Sequence, residues 1–125
     1  MWDAYARGDY AKALACTLQV ELRWGGAAIE QQARKAQSGC EYTPDPKDQA
    51  AFDRFWADYY ALNDVGVSLF MRGEILRKQQ KCSAAKAAYQ ATIDQYSCAY
   101  ALNQEQTAFW RVTDGARGGL NSPCP

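Results

Sequence analysis

The chain of 125 residues contains no histidine. Histidine is the side chain most often used for proton transfer near neutral pH, so its absence excludes Cys-His and Ser-His catalytic pairs. A zinc site would need four thiolates gathered from scattered positions, because no two cysteines form a CxxC pair. We therefore expect no metal or other cofactor and no histidine-based enzyme.

The sequence also lacks an excess of either charge. Fourteen basic and fourteen acidic residues give a formal net charge of zero. This balance argues against nucleic acid as a partner, since phosphate binding needs a surplus of Lys and Arg on one face. No apolar run approaches the ~20 residues that cross a bilayer, so no membrane span is predicted. Residues 1–5 show no signal peptide, so the protein is either cytoplasmic or a mature or trimmed chain whose leader is gone.

Five cysteines are many for a cytosolic protein and favour disulfides in an oxidising compartment, periplasmic or secreted, with free buried thiols in the cytoplasm as the alternative. Cys40, Cys82, Cys98 and Cys124 fall at predicted element ends or in loops and are the disulfide candidates, whereas Cys16 could be buried and free. Cys82 and Cys98 bracket a helix about 21 Å long and cannot pair with each other. We prefer Cys98 with Cys124, which leaves Cys40 with Cys82.

The prolines lie only in the central loop and the tail, where they obstruct no helix. Elsewhere apolar residues recur at helical spacing, and no run alternates long enough to indicate a strand, so the predicted class is all-α. The segments are a first helical region 1–37, a loop 38–46, a long helical segment 47–79, a helix 83–97, a helix 103–118 and a tail 119–125. Whether 11–37 is one helix or two stays open. Residues 62–79 are apolar on two sides, which predicts a central helix.

Two stretches of the sequence repeat one pattern. Residues 8–14 read Gly-Asp-Tyr-Ala-Lys-Ala-Leu, and residues 79–89 place Ala85 and Tyr89 where a second helix needs a small and then a large residue. Gly73 falls where two antiparallel helices would cross closely. The pattern resembles the tetratricopeptide repeat, which implies a short helix-turn-helix array, closed here by a capping helix over 103–118. The resemblance implies a non-catalytic module that binds a protein segment or itself.

The first repeat of this array is short, because only seven residues precede Gly8. One side of helix 11–23 therefore lacks an intramolecular neighbour. Either the chain was trimmed, or another subunit or partner covers the gap. Repeat arrays bury their core only through neighbours, so we expect an association surface, with a homo-oligomer as one outcome.

Aromatic residues are numerous for an α-domain, and most lie on apolar stripes where core packing explains them. The residues that we expect to bind a ligand are Trp24, Tyr42, Trp56 and Tyr60. Tyr and Trp supply contact area at low entropy cost, so a peptide is the expected ligand and a glycan the alternative.

Acidic side chains lie among these aromatics, namely Asp53, Asp58, Asp64 and Glu74. A glycoside hydrolase needs only two carboxyl groups, so this cluster is the sequence's best argument for an enzyme. Their helical spacing is, however, typical of a solvated helix face, and acids without a cleft seldom have shifted pKa values. We expect no catalytic residues.

Overall fold

The computed structural model describes residues 1–124, so Pro125 at the end of the predicted tail lies outside the described residues. The described chain is mostly helical, with one small antiparallel hairpin. Its helices are α1 (Trp2–Ala6), α2 (Tyr10–Ser38), α3 (Gln49–Lys78), α4 (Cys82–Gln95) and α5 (Val112–Asn121), and its strands are β1 (Tyr100–Leu102) and β2 (Phe109–Arg111). The all-α prediction is therefore right for most of the chain.

The two long helices start at aspartate caps. Asp9 accepts a hydrogen bond from the Lys12 backbone N–H at 3.2 Å, and Asp48 accepts one from Ala51 at 3.1 Å. Each carboxylate satisfies an N–H group that has no partner within the first helical turn. α2 then continues without a break to Ser38, so residues 11–37 form one helix, and it ends at Gly39, whose φ of 151° favours glycine.

α3 is the central helix, as its two apolar sides predicted. It packs against α2 on one side and against α4 and α5 on the other, and most of its residues from 61 to 76 are buried. α4 crosses it closely at Gly73, where an added Cβ would lie 2.5 Å from the Tyr89 ring. At Gly66 an added Cβ would lie 2.5 Å from Ala99 Cβ, which belongs to the segment between α4 and β1. Gly73 therefore lets α4 approach α3, and Gly66 lets that segment approach α3.

The segment predicted as one long helix over 47–79 is kinked. Tyr59 has non-helical backbone angles, with φ of −132° and ψ of 18°. Two α2 side chains form hydrogen bonds with the backbone groups near the break. Gln31 Oε1 accepts from the Leu62 N–H at 2.9 Å, and Arg34 donates to the Asp58 carbonyl. Buried backbone groups need such partners, so α2 stabilises the kink.

A hairpin precedes the last helix, and here the sequence prediction is wrong. Residues 103–118 were expected to be helical, but β1 pairs with β2, with Ala101 opposite Trp110, and α5 begins only at Val112. The Asn103 side chain explains the difference, because its Oδ1 accepts from the backbone N–H of Thr107 at 2.9 Å and of Ala108 at 3.3 Å. Asparagine that bonds to nearby backbone favours a turn over a helix. α5 also extends into the predicted tail.

Two disulfides join Cys40 to Cys98 and Cys82 to Cys124. All four candidate cysteines are paired, but the preferred connectivity is wrong. The antiparallel order of the helices is the reason: α5 runs back along α4, so the residues after it reach the start of α4 at Cys82. Cys98, after the far end of α4, instead meets the segment that follows α2. Cys16 is unpaired within residues 1–124.

Candidate functional site

A groove runs between the N-terminal helix, the middle of α3 and strand β1. It consists of two adjoining cavities of about 390 and 880 Å³, both lined by Trp2, Val67, Ala101 and Leu102. Because both cavities have these four residues as walls, we treat them as one surface, which we call the tryptophan groove.

Three tryptophans line this groove. Trp56 lies in the smaller cavity, Trp110 in the larger one, and Trp2, which is 50% exposed, in both. The Trp56 ring stacks parallel to Phe52 at 6.2 Å, and the Trp110 ring packs edge-on against Phe70 at 5.6 Å. Two of the three rings are thus held by aromatic neighbours and present broad apolar faces at little entropic cost.

The smaller cavity also contains an unsatisfied donor. Asn63 is 1% exposed; its Oδ1 accepts from the Tyr100 backbone N–H at 3.0 Å, whereas its Nδ2 has no acceptor among residues 1–124. Leaving a buried donor unpaired costs about 1–3 kcal/mol. The neighbouring Asp64 also lines the cavity, and burial raises the pKa of its carboxyl group.

Among residues 1–124, no strand pairs with the edge of β1 that faces away from β2, although Asn63 accepts from the Tyr100 N–H on that edge. In the hairpin ladder, Asn103 donates to the Ala108 carbonyl at 2.9 Å and Val112 donates to the Ala99 carbonyl at 3.1 Å. Backbone groups alternate in direction along a strand, so those of Leu102, between these paired positions, face away from β2. Leu102 therefore offers one backbone N–H and one C=O on the groove side.

Behind β1, a buried lysine ties the hairpin to α2. The Lys35 ammonium donates to the Cys98 carbonyl at 2.9 Å and lies 4.6 Å from the centre of the Tyr100 ring and 4.9 Å from that of Phe55. Burial, with a further contribution from Arg111, lowers the pKa of Lys35 to about 8. Together with the Cys40–Cys98 disulfide, this contact fixes the start of β1 and so the position of the groove wall.

The structure does not bring the four predicted binding residues together. Of the four, only Trp56 lines the groove. Trp24 and Tyr60 pack edge-on against each other at 5.3 Å beside the core, and Tyr42, which is 52% exposed, packs against Phe55 at 6.0 Å.

Sequence reasoning missed most of the groove. Trp110 was predicted to lie on a capping helix, whereas it lies in strand β2. Trp2 lies in a segment that was expected to be an incomplete repeat. Asn63 and Val67 carry no local signal, because α3 looks apolar on two sides whether or not one side faces a cavity. An aromatic-rich stretch after Asn103 was the one clue to the hairpin.

The four acidic residues do not gather at the groove. Asp53 and Asp58 are exposed on α3, and Asp64 is the only one of the four acids that lines the groove. Glu74 is held by two partners, the Tyr89 hydroxyl at 2.6 Å and Arg77 at 2.9 Å. Burial and the Glu74 carboxylate raise the pKa of Tyr89, so this contact persists at neutral pH.

None of the helices in residues 1–124 is long and apolar enough to cross a membrane. Nor do these residues gather three or more His, Cys, Asp or Glu side chains in a group able to hold a metal ion.

The chain was compared with protein-family models, with curated proteins and with solved structures, and nothing matches in any of the three comparisons.

Proposed function

We propose that this chain is a non-catalytic interaction module that binds an extended polypeptide segment in the tryptophan groove. The observation that carries the proposal is the combination of apolar walls with an open strand edge in one groove. Leu102 contributes both features, since its side chain lines the cavities and its backbone groups face away from β2.

A polypeptide fits this combination better than a compact small molecule. An extended chain that pairs with a strand edge exchanges backbone hydrogen bonds and places alternate side chains on one face. Paired at Leu102, such a chain would direct those side chains toward Trp2 and Trp110, and a backbone carbonyl would reach the unpaired Asn63 Nδ2. Buried aromatic contacts of this kind often dominate the affinity of an interface.

We further propose that the helices follow the tetratricopeptide-type arrangement. Consecutive helices that run antiparallel support this proposal, as does the close approach of α4 to α3 at Gly73, the position where the repeat pattern expects two helices to cross. The hairpin between α4 and α5 departs from a plain repeat array, and it supplies the groove wall. An oxidising compartment, periplasmic or secreted, is supported by the two disulfides.

A glycan is the second candidate ligand. The specific observation in its favour is the placement of Asn63 and Asp64 beside Trp56, because sugar sites pair an aromatic face with amide and carboxylate groups that bond hydroxyls. The mostly apolar groove and the strand edge favour the polypeptide.

Selection from a library of random twelve-residue peptides tests the proposed function. The enriched peptide, made synthetically with a fluorescent label, is titrated with the protein and followed by anisotropy. Trp2→Ala should weaken binding at least tenfold, since its ring lines both cavities, whereas Tyr42→Ala, equally exposed but outside the groove, should bind as the wild type does. No enrichment, or equal losses in both variants, would count against the groove. Titration of the protein with a panel of oligosaccharides tests the alternative that the groove binds a glycan.

A further inference from the structure

The solvent-facing side of α2 carries an apolar stripe that no part of residues 1–124 covers. We call it the outer stripe, and it consists of Ala11, Ala15, Leu18, Leu22, Gly25, Gly26, Ile29, Ala33 and Ala36. Leu22 is 87% exposed and Ile29 is 59% exposed. These positions follow each other at steps of three and four residues, which places them on one face of the helix over about 38 Å.

The outer stripe has no role in the monomer. α2 packs on α3 through a different side, on which Thr17, Ala28 and Gln31 are buried. No residue of the outer stripe lines the tryptophan groove, to which α2 contributes only Val20. A helix with apolar residues on two sides usually has a second neighbour.

The outer stripe is complementary to itself when two copies run antiparallel about Leu22. In that register the two Leu22 side chains meet, Leu18 lies opposite Gly26 of the second copy, and Ile29 lies opposite Ala15 of the second copy. Each large side chain therefore faces a small one. Space is open at Gly26, where an added Cβ would meet nothing within 4 Å.

Charged residues beside the stripe favour the same arrangement. Lys12 and Glu30 lie on one flank of the stripe, at nearly equal distances along α2 from Leu22. An antiparallel pairing brings equal flanks of the two helices together, so that Lys12 of one copy lies near Glu30 of the other. A parallel pairing would set Gly26 against Gly26 and leave a gap.

We propose that the outer stripe joins two copies of this chain in an antiparallel, two-fold symmetric dimer centred on Leu22. Such an interface uses the same patch on both subunits. Two-fold symmetry of this kind is the commonest symmetry of soluble oligomers. The dimer goes beyond the proposed function, because its surface is separate from the tryptophan groove, and either proposal can fail without the other.

Sedimentation equilibrium of the wild-type chain tests for the dimer. A monomer–dimer equilibrium is expected, and Leu22→Glu should raise the dimer dissociation constant at least tenfold. The exposure of Leu22 means that this variant keeps its fold, which circular dichroism checks. Ala87→Glu, on the exposed side of α4, is the control and should dimerise as the wild type does. A wild-type chain that stays monomeric at millimolar concentration would overturn the proposal.

Cysteine cross-linking then tests the register, in a Cys16→Ser background that removes the unpaired thiol. Leu22→Cys should oxidise to a covalent dimer, because the two thiols meet at the symmetry axis. Ile29→Cys alone should not, since its two copies would lie about 21 Å apart along the helix, but it should cross-link when mixed with Ala15→Cys. Cross-linking of Ile29→Cys to itself would show a parallel pairing and refute the two-fold arrangement.

Discussion

The Gln31 side chain holds the kink of α3 in place, because its Oε1 accepts the Leu62 backbone N–H at 2.9 Å on the far side of the break at Tyr59. The turn of α3 that precedes this break carries Trp56, one of the groove residues. A single amide on α2 therefore links the packing of the two long helices to the shape of the groove.

Replacing Gln31 with leucine should leave the Leu62 N–H buried without a partner. We expect the free energy of unfolding, measured by urea denaturation, to fall by about 1–3 kcal/mol. Gln37→Leu is the matched control, because Gln37 is exposed on the same helix, and it should change stability by less than about 0.5 kcal/mol. Equal effects in the two variants would show that the Gln31 contact contributes nothing.

Glycine-to-alanine substitutions should have opposite effects at two positions. At Gly66 the new methyl group would lie 2.5 Å from Ala99 Cβ, which is fixed to the backbone, so we expect a loss of about 1–3 kcal/mol. At Gly26 the methyl group meets nothing in the monomer and improves helix propensity, so a gain of about 0.5–1 kcal/mol is expected. Thermal unfolding at concentrations where the chain is monomeric measures both, and a tolerated Gly66→Ala would disprove the close contact between α3 and Ala99.

Lys35 should make stability depend on pH. Its pKa is lowered to about 8 in the folded chain from 10.5, so between these values the unfolded state binds more protons than the folded state. The free energy of unfolding should therefore rise as pH increases from 8 to 10, by at most about 3 kcal/mol. Below pH 8 Lys35 is charged in both the folded and the unfolded state, so burying its ammonium group lowers the free energy of unfolding by the full amount.

Lys35→Met isolates this effect. The variant keeps the length of the side chain and loses the charge, so the rise between pH 8 and 10 should disappear from urea denaturation curves. Lys86→Met, at an exposed site on α4, should leave the rise unchanged. A wild-type curve that is flat from pH 8 to 10 would argue against a buried ammonium group.

Peptide mapping without reductant should find the pairs Cys40–Cys98 and Cys82–Cys124 and an unmodified Cys16. The Cys40→Ser, Cys98→Ser double variant should lose about 2–5 kcal/mol of stability, since this disulfide closes a long loop. Cys16→Ser should behave as the wild type. Recovery of Cys98 linked to Cys124 would contradict the antiparallel order of α4 and α5.

The helices were predictable from the sequence because their signals are local. Apolar spacing located α2, α3 and α4 to within about two residues, and the two-sided pattern of 62–79 identified the central helix. The kink at Tyr59 was not predictable, because it depends on Gln31, some thirty residues earlier in the chain. The same holds for the disulfide partners, which follow from helix direction and not from spacing.

The groove was less predictable than the helices. Trp56 was identified because Trp and Tyr supply contact area at low entropy cost, but Tyr42, Trp24 and Tyr60, chosen for the same reason, lie elsewhere. The hairpin brings Leu102 and Trp110 to the groove, and its turn depends on side-chain bonds of Asn103 that compete with a helical pattern. The groove residues come from three separate elements, so no contiguous sequence motif identifies the site.

The most direct test of the tryptophan groove is an NMR titration of the ¹⁵N-labelled chain with the peptide enriched from the random library. We predict that the largest shifts occur at the Leu102 backbone amide, the Asn63 side-chain amide and the indole N–H groups of Trp2, Trp56 and Trp110. Shifts confined to the Trp24 indole, to Tyr42 or to the outer stripe of α2, with the groove unchanged, would contradict the proposed function.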